Sequence, residues 1–114
     1  MRKIKKEKQN KEKTKMLNIQ KTIEDGKATF ALEGMLDTVT APELEKELVE
    51  VLEGLTDLTF DMEKLEYISS SGLRVLLFAQ KTMNKQGKMT VTHVNGPIME
   101  IFDVTGFTEI MTIE

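Results

Sequence analysis

The densest run of hydroxyl side chains is Ser69, Ser70 and Ser71, in the segment DMEKLEYISSSGLRVLLFA. Three kinds of chemistry use such a run: nucleophilic attack, capping of a helix, and acceptance of a phosphoryl group. Nucleophilic catalysis needs a base to take the serine proton, and the sequence holds a single imidazole, His93, and no cysteine. His93 shares parity with Met89 and Val91 in the strand-like KMTVTHV, which makes it a partly packed strand residue before it is a general base. The chain contains no GxSxG, no GxGxxG, no P-loop and no His or Cys cluster at ligand spacing, so no catalytic residue, metal site or cofactor is expected. Asp37, in EGMLDTVTAPEL, follows a strand end. A turn or cap role and a binding role both stay open for it.

The element that must position the serines is the helix expected from about Gly72 to Gln86 and stopped by Gly87. Its first amides lack acceptors and carry partial positive charge, so a serine there can cap it and a phosphate there is stabilised. Leu73, Val75, Leu76, Leu77, Phe78 and Ala79 make this helix apolar nearly all round. One face can enter a core, but Val75 or Phe78 must look elsewhere, so the helix is either fully buried or half docking surface. A charge-switchable group at the head of an apolar docking helix is a regulatory device.

The remaining pattern supplies a scaffold. Leu17, Ile19 and Ile23 share one parity, as do Ala28, Phe30 and Leu32, with Asp25-Gly26 between them as a hairpin turn. In TAPELEKELVEVLEGL, Thr40 and Glu43 have capping-box spacing and Pro42 falls in the first turn. Leu44, Leu48, Val51, Leu52 and Leu55 then recur at helical spacing up to the stop at Gly54. The opposite face, with Glu43, Glu45, Glu47, Glu50 and Glu53, is a solvated one. DLTFDM reads as a strand leading through a short loop to the serines, KMTVTHV as another, GPIMEIFDVTG as a short helix with Ile98, Ile101 and Phe102 inward, and EIMTI as a last strand. The order β-β-α-β-α-β-α-β predicts an α/β fold: a mixed sheet with right-handed crossovers, packed against helices.

With 114 residues the chain has the length of one domain. Its net charge of −3 hides a division, because residues 1–15 hold eight Lys or Arg against two Glu (+6) and the other 99 residues carry 8 basic and 17 acidic groups (−9). The basic stretch 1–15 is expected to be a flexible tail or, with Met16 as the biological start, a mispredicted extension. No apolar run reaches the length of a membrane span and no secretory leader is recognisable, so a soluble protein with no membrane role is expected. The lack of cysteine fits a reducing compartment, and a cytoplasmic location is the expectation.

From about Leu17 to Glu114 the sequence resembles the STAS domain, and particularly the free-standing bacterial anti-sigma factor antagonists. DMEKLEYISSSGLRVLL resembles that family's strand followed by Asp-Ser-Ser-Gly-Leu, LEGMLDTVTAPEL its Gly-x-Leu-Asp segment, and VNGPIMEIFDVTGFTEIM its final helix, turn and strand. The resemblance implies a mixed sheet backed by helices with no catalytic site of its own. It implies as partner an anti-sigma factor that is also a serine kinase of the histidine-kinase-like ATPase type. That kinase ends binding by phosphorylating the antagonist, and a PP2C-type phosphatase restores it; direct DNA binding is not expected. By position the phosphorylated serine is Ser70, with Ser71 and Ser69 as alternatives, and Ser69 occupies the place of the family's aspartate. Asp37 matches the aspartate of the first loop, which contributes to kinase contact. The expected partner-binding residues are Asp37, Ser69, Ser70, Ser71, Gly72, Leu73, Val75 and Phe78. Two other readings stand beside this one: a STAS module in a non-transcriptional signalling, transporter or lipid-trafficking complex, and an enzyme with a serine nucleophile.

Overall fold

The computed structural model describes residues 16–114, and the basic stretch 1–15 lies outside the described residues. Strands β1 (Leu17–Glu24) and β2 (Lys27–Leu36) form the antiparallel hairpin, Leu17 opposite Gly34 and Glu24 opposite Lys27. Asp25 and Gly26 turn the chain with φ of +53° and +79°, the two positive φ angles that let a two-residue turn match the strand twist. Strands β3 (Asp57–Ile68), β4 (Lys88–Thr92) and β5 (Thr112–Ile113) then add in parallel, so the sheet order is β1-β2-β3-β4-β5.

Each parallel addition passes through a helix: α1 (Ala41–Leu52), α2 (Ser70–Met83) and α3 (Gly96–Thr105). Because every crossover advances the sheet in the same direction, right-handed connections put all three helices on one face. Residues of one parity therefore enter the core. Ala28, Phe30, Leu32, Leu58, Phe60, Met89 and Val91 are at most 3% exposed, beneath Leu44, Leu48 and Leu52 of α1, Leu76 and Ala79 of α2, and Ile98 and Phe102 of α3. Phe30 and Phe60 meet with ring centroids 5.8 Å apart. Full burial of such a side chain contributes about 1.5–3 kcal/mol.

The opposite parity builds a polar face. Thr22, Thr29, Thr59, Thr90 and Thr112 stand in register across all five strands. Beside them Glu24, Lys27, Asp57 and Lys88 alternate in sign across four strands. β-Branched residues paired across strands, and opposite charges facing one another, each stabilise a sheet modestly.

Several expectations are corrected. The strand expected as DLTFDM continues to Ile68 with no loop before the serines, its pairing with β2 interrupted by register shifts at Ala31/Glu33 and Gly34/Met35. Those irregularities break the two-residue alternation by which a strand is recognised. Helix α2 starts two residues earlier than expected, at Ser70, and ends at Met83. Residues up to Gly87 complete a turn in which the Gly87 amide donates to Met83 O at 2.7 Å. The expected capping box at Thr40 does not form. Its hydroxyl donates to Met35 O at 2.8 Å and to Asp37 Oδ1 at 3.2 Å instead of accepting from the helix. The last strand is reduced to two residues because Phe107–Glu109 form a 3₁₀ turn.

Candidate functional site

The serine run closes β3 and opens α2. Ile68 is the last strand residue and buried; Ser69 takes the N-cap position in extended backbone, φ −102° and ψ 177°. Its amide donates to Leu36 O at 2.9 Å, and its carbonyl accepts the Leu73 amide at 2.9 Å. The expected hydroxyl cap is absent, for Ser69 Oγ is buried without a hydrogen-bond partner. The amides of Ser70, Ser71 and Gly72 are those that a helix start leaves without intrahelical acceptors. Ser70 is exposed and Ser71 half-buried, so the first turn offers two reachable hydroxyls above unpaired N–H groups.

Gly72 brings this turn close to the sheet. A Cβ there would lie 2.7 Å from Leu36 Cγ, 2.8 Å from Ile68 Cγ1 and 3.0 Å from Leu36 O. The absent side chain thus lets α2 begin directly over the ends of β2 and β3.

The loop after β2 forms the other wall. Asp37 Oδ1 accepts the amides of Val39 at 3.0 Å and Thr40 at 3.1 Å, while the Asp37 amide donates to Thr40 Oγ1 at 2.9 Å. Asp37 therefore organises its own turn and so satisfies the N-terminal approach to α1. The turn delivers Thr38 to the serines, its Oγ1 3.3 Å from Ser71 Oγ. Between the starts of α1 and α2 lies a cavity of about 230 Å³, with Thr38 and Ser71 at one end and Glu45, Arg74, Val75 and Phe78 along it.

The residues expected on the docking surface are thus divided. Leu73 and Val75 are only 8% and 5% exposed and pack into the core, Val75 still reaching the cavity, whereas Phe78 is 38% exposed. Leu77 is half-buried, and Gly72 is buried. Two residues of the site were missing from the sequence reading. Arg74 was legible as the one charge inside an apolar run, four residues after Ser70. Thr38 had no signal, because its contact with Ser71 spans 33 residues.

His93 is corrected as well. It lies beyond the end of β4 with φ +59°, its side chain exposed, and Nδ1 is 3.2 Å from Asp61 Oδ1. Asp61 precedes Ile68 by seven residues of β3, about 20 Å of extended chain, so no imidazole reaches the serines. Asp61, Glu63 and His93 each bring one possible ligand atom within 4.8 Å of the others. Asp61 Oδ1 already accepts the Glu63 amide at 3.0 Å besides contacting His93, and both of those side chains are exposed. Among the described residues no helix is long and apolar enough to cross a membrane.

Comparison with known proteins agrees with this architecture. The sequence is 33% identical over 91 residues to BtrV of Bordetella bronchiseptica, covering 78% of each chain. It is 30% identical over 99 residues to the anti-sigma-B factor antagonist of Staphylococcus aureus, covering 85% of this chain and 92% of that one. The fold superposes on the phosphorylated form of the Bacillus cell fate determinant SpoIIAA with a TM-score of 0.69 at 16% identity, over 85% of this chain and 91% of that one. The model of the STAS domain matches residues 18–114, nearly all of the described chain, and the protein belongs to the STAS-domain family.

Proposed function

We propose that this protein is an anti-sigma factor antagonist: unphosphorylated, it binds an anti-sigma factor and thereby releases a sigma factor, and phosphorylation of Ser70 ends that binding. The observation that carries this reading is the exposed Ser70 hydroxyl in the first turn of α2, beside the Asp37 turn and the cavity ending at Phe78. The similarity to the Staphylococcus aureus antagonist supports the same class of partner. The partner doubles as a serine kinase of the histidine-kinase-like ATPase type, and a PP2C-type phosphatase reverses its action. In the forward step Ser70 Oγ attacks the γ-phosphorus of ATP. An Oγ–P bond forms, the bond to the β-phosphate oxygen breaks, ADP leaves, and the kinase's base takes the hydroxyl proton.

Charge explains why one group suffices as a switch. Phosphorylation adds about −1.5 to −2 charges at the start of α2. The helix terminus offsets this by about 0.3–1 kcal/mol, so the fold survives. In a docked complex the dianion must lose water, and an uncompensated buried charge costs several kcal/mol, enough to weaken binding a hundredfold or more. Ser70→Ala should therefore bind the kinase and accept no phosphate, while Ser70→Asp should fold normally and bind poorly. Phosphopeptide mapping after incubation with the cognate kinase and ATP checks the assignment. Phosphate that persists in full on Ser71 or Ser69 of Ser70→Ala would overturn Ser70 as the acceptor. No phosphate anywhere would favour a non-transcriptional STAS module.

A further inference from the structure

Arg74 has no role in the fold so far described. It is exposed in the second turn of α2, it lines the cavity together with Thr38, Glu45 and Ser71, and it makes no salt bridge among the described residues. A long cationic side chain inside the apolar stretch Leu73–Ala79, with no carboxylate partner among the described residues, is either a solubilising charge or a residue waiting for an anion. Its spacing distinguishes the two. Ser70 precedes it by four residues and Ser71 by three within one continuous helix, and side chains at those separations stand on one helical face with Cβ atoms about 5–6 Å apart. Ser69, five residues before, is in extended backbone and its Oγ is buried.

We propose that Arg74 is the phosphate-holding residue of the switch: the guanidinium turns back along α2 to grip the phosphoryl group on Ser70. This rests on the reading of Ser70 as the acceptor and adds the residue through which the phosphate acts. Guanidinium presents a planar fork of donors that matches phosphate oxygens two at a time, and such charge-assisted bonds are about twice as strong as neutral ones. The unpaired amides of the first turn contribute from below. Two carboxylates face the same region, Glu45 across the cavity and Asp37 in the adjoining turn; Asp37 is occupied with the Val39 and Thr40 amides. Phosphate and Glu45 therefore compete for Arg74, and the doubly charged group wins. The consequence is a switch with two strokes. Phosphorylation adds negative charge at Ser70 and at the same time withdraws the cation of the groove that an acidic partner segment would meet.

The test installs phosphoserine at position 70 of the full chain by genetic encoding, so that it does not depend on any kinase, and follows the phosphorus resonance against pH. Free phosphoserine loses its second proton near pH 6; a guanidinium in contact favours the dianion and lowers that midpoint. The midpoint should be lower in the Arg74 protein than in Arg74→Ala by roughly half a pH unit, about a threefold change in proton affinity, with Arg74→Lys between them. Unmodified Arg74→Ala should melt at the temperature of the parent, which separates the clamp from a role in folding. Identical midpoints in all three phosphoproteins would overturn the proposal. That result would leave Ser70 as acceptor untouched, whereas kinase mapping to another serine would remove the acceptor without bearing on this measurement.

Discussion

At the scale of single residues, the Ser69 hydroxyl does not cap α2, and Asp37 takes the turn role that was one of the two left open for it. Ser69 holds the cap position, yet its hydroxyl is buried and unpartnered. A hydroxyl that capped α2 would cost about 1 kcal/mol to remove, whereas one buried without a partner contributes only its desolvation penalty. Ser69→Ala should accordingly leave the melting temperature unchanged or raise it by a degree or two; thermal denaturation showing a fall of about 5 °C would restore the cap. Asp37, by contrast, organises a turn through one carboxylate oxygen. Asn keeps an acceptor there and loses the charge. Asp37→Asn should retain the stability of the parent and, if the charge meets the anti-sigma factor partner, weaken its binding about tenfold, or about 1.4 kcal/mol. Asp37→Ala should lose stability as well, by about 1–2 kcal/mol. Calorimetric titration beside thermal melts separates the cases, and unaltered affinity in Asp37→Asn would confine the residue to its turn.

Among the elements, α2 decides the site. Its first turn is pressed closely onto the sheet, because Gly72 leaves no side chain between it and Leu36 and Ile68. Ala would improve the intrinsic helix propensity by up to about 1 kcal/mol. Against this, its methyl would meet two core side chains and a carbonyl within 3.0 Å, and overpacking of this kind costs about 1–3 kcal/mol. The clash prevails because Leu36 and Ile68 are themselves buried, at 0% and 3% exposure, and have no room to yield. Gly72→Ala is therefore expected to lower the melting temperature by several degrees and to weaken partner binding through displacement of Ser70. An unchanged melting temperature would show that α2 can slide outward freely.

For the molecule as a whole, the core defines where the fold must begin. Leu17 is buried at 1% exposure, and Met16 O accepts the Met35 amide at 2.7 Å. A chain starting at Met16 keeps both. It should melt within about a degree of the full chain, while one starting at Ile19 should lose the several kcal/mol typical of deleting a buried leucine. A drop of several degrees on removing residues 1–15 would assign the basic stretch a part in the fold. Comparing the full chain with the chain starting at Met16 also shows whether the +6 stretch adds to partner affinity at low salt.

What the sequence by itself determined is whatever depends on short-range periodicity and turn chemistry. The β-β-α-β-α-β-α-β order, the Asp25-Gly26 hairpin, the inward parity of Phe30 and Phe60, and a serine run opening an apolar helix were all legible, since each is written within a few neighbouring residues. The family resemblance then singled out Ser70 and Asp37. Only the tertiary structure decided the rest. The extension of β3 to Ile68 depends on its pairing with β2 through two register shifts, and the departure of His93 from β4 depends on where pairing with β3 ends. The row of five threonines exists only once four strand registers are set. Likewise the burial of Leu73 and Val75, the exposure of Phe78, and the contact of Thr38 with Ser71 follow from how far α2 can approach the sheet. That distance is set by steric contact between Gly72, Leu36 and Ile68. Two of these residues lie 36 positions apart in the chain, and no local pattern encodes their meeting.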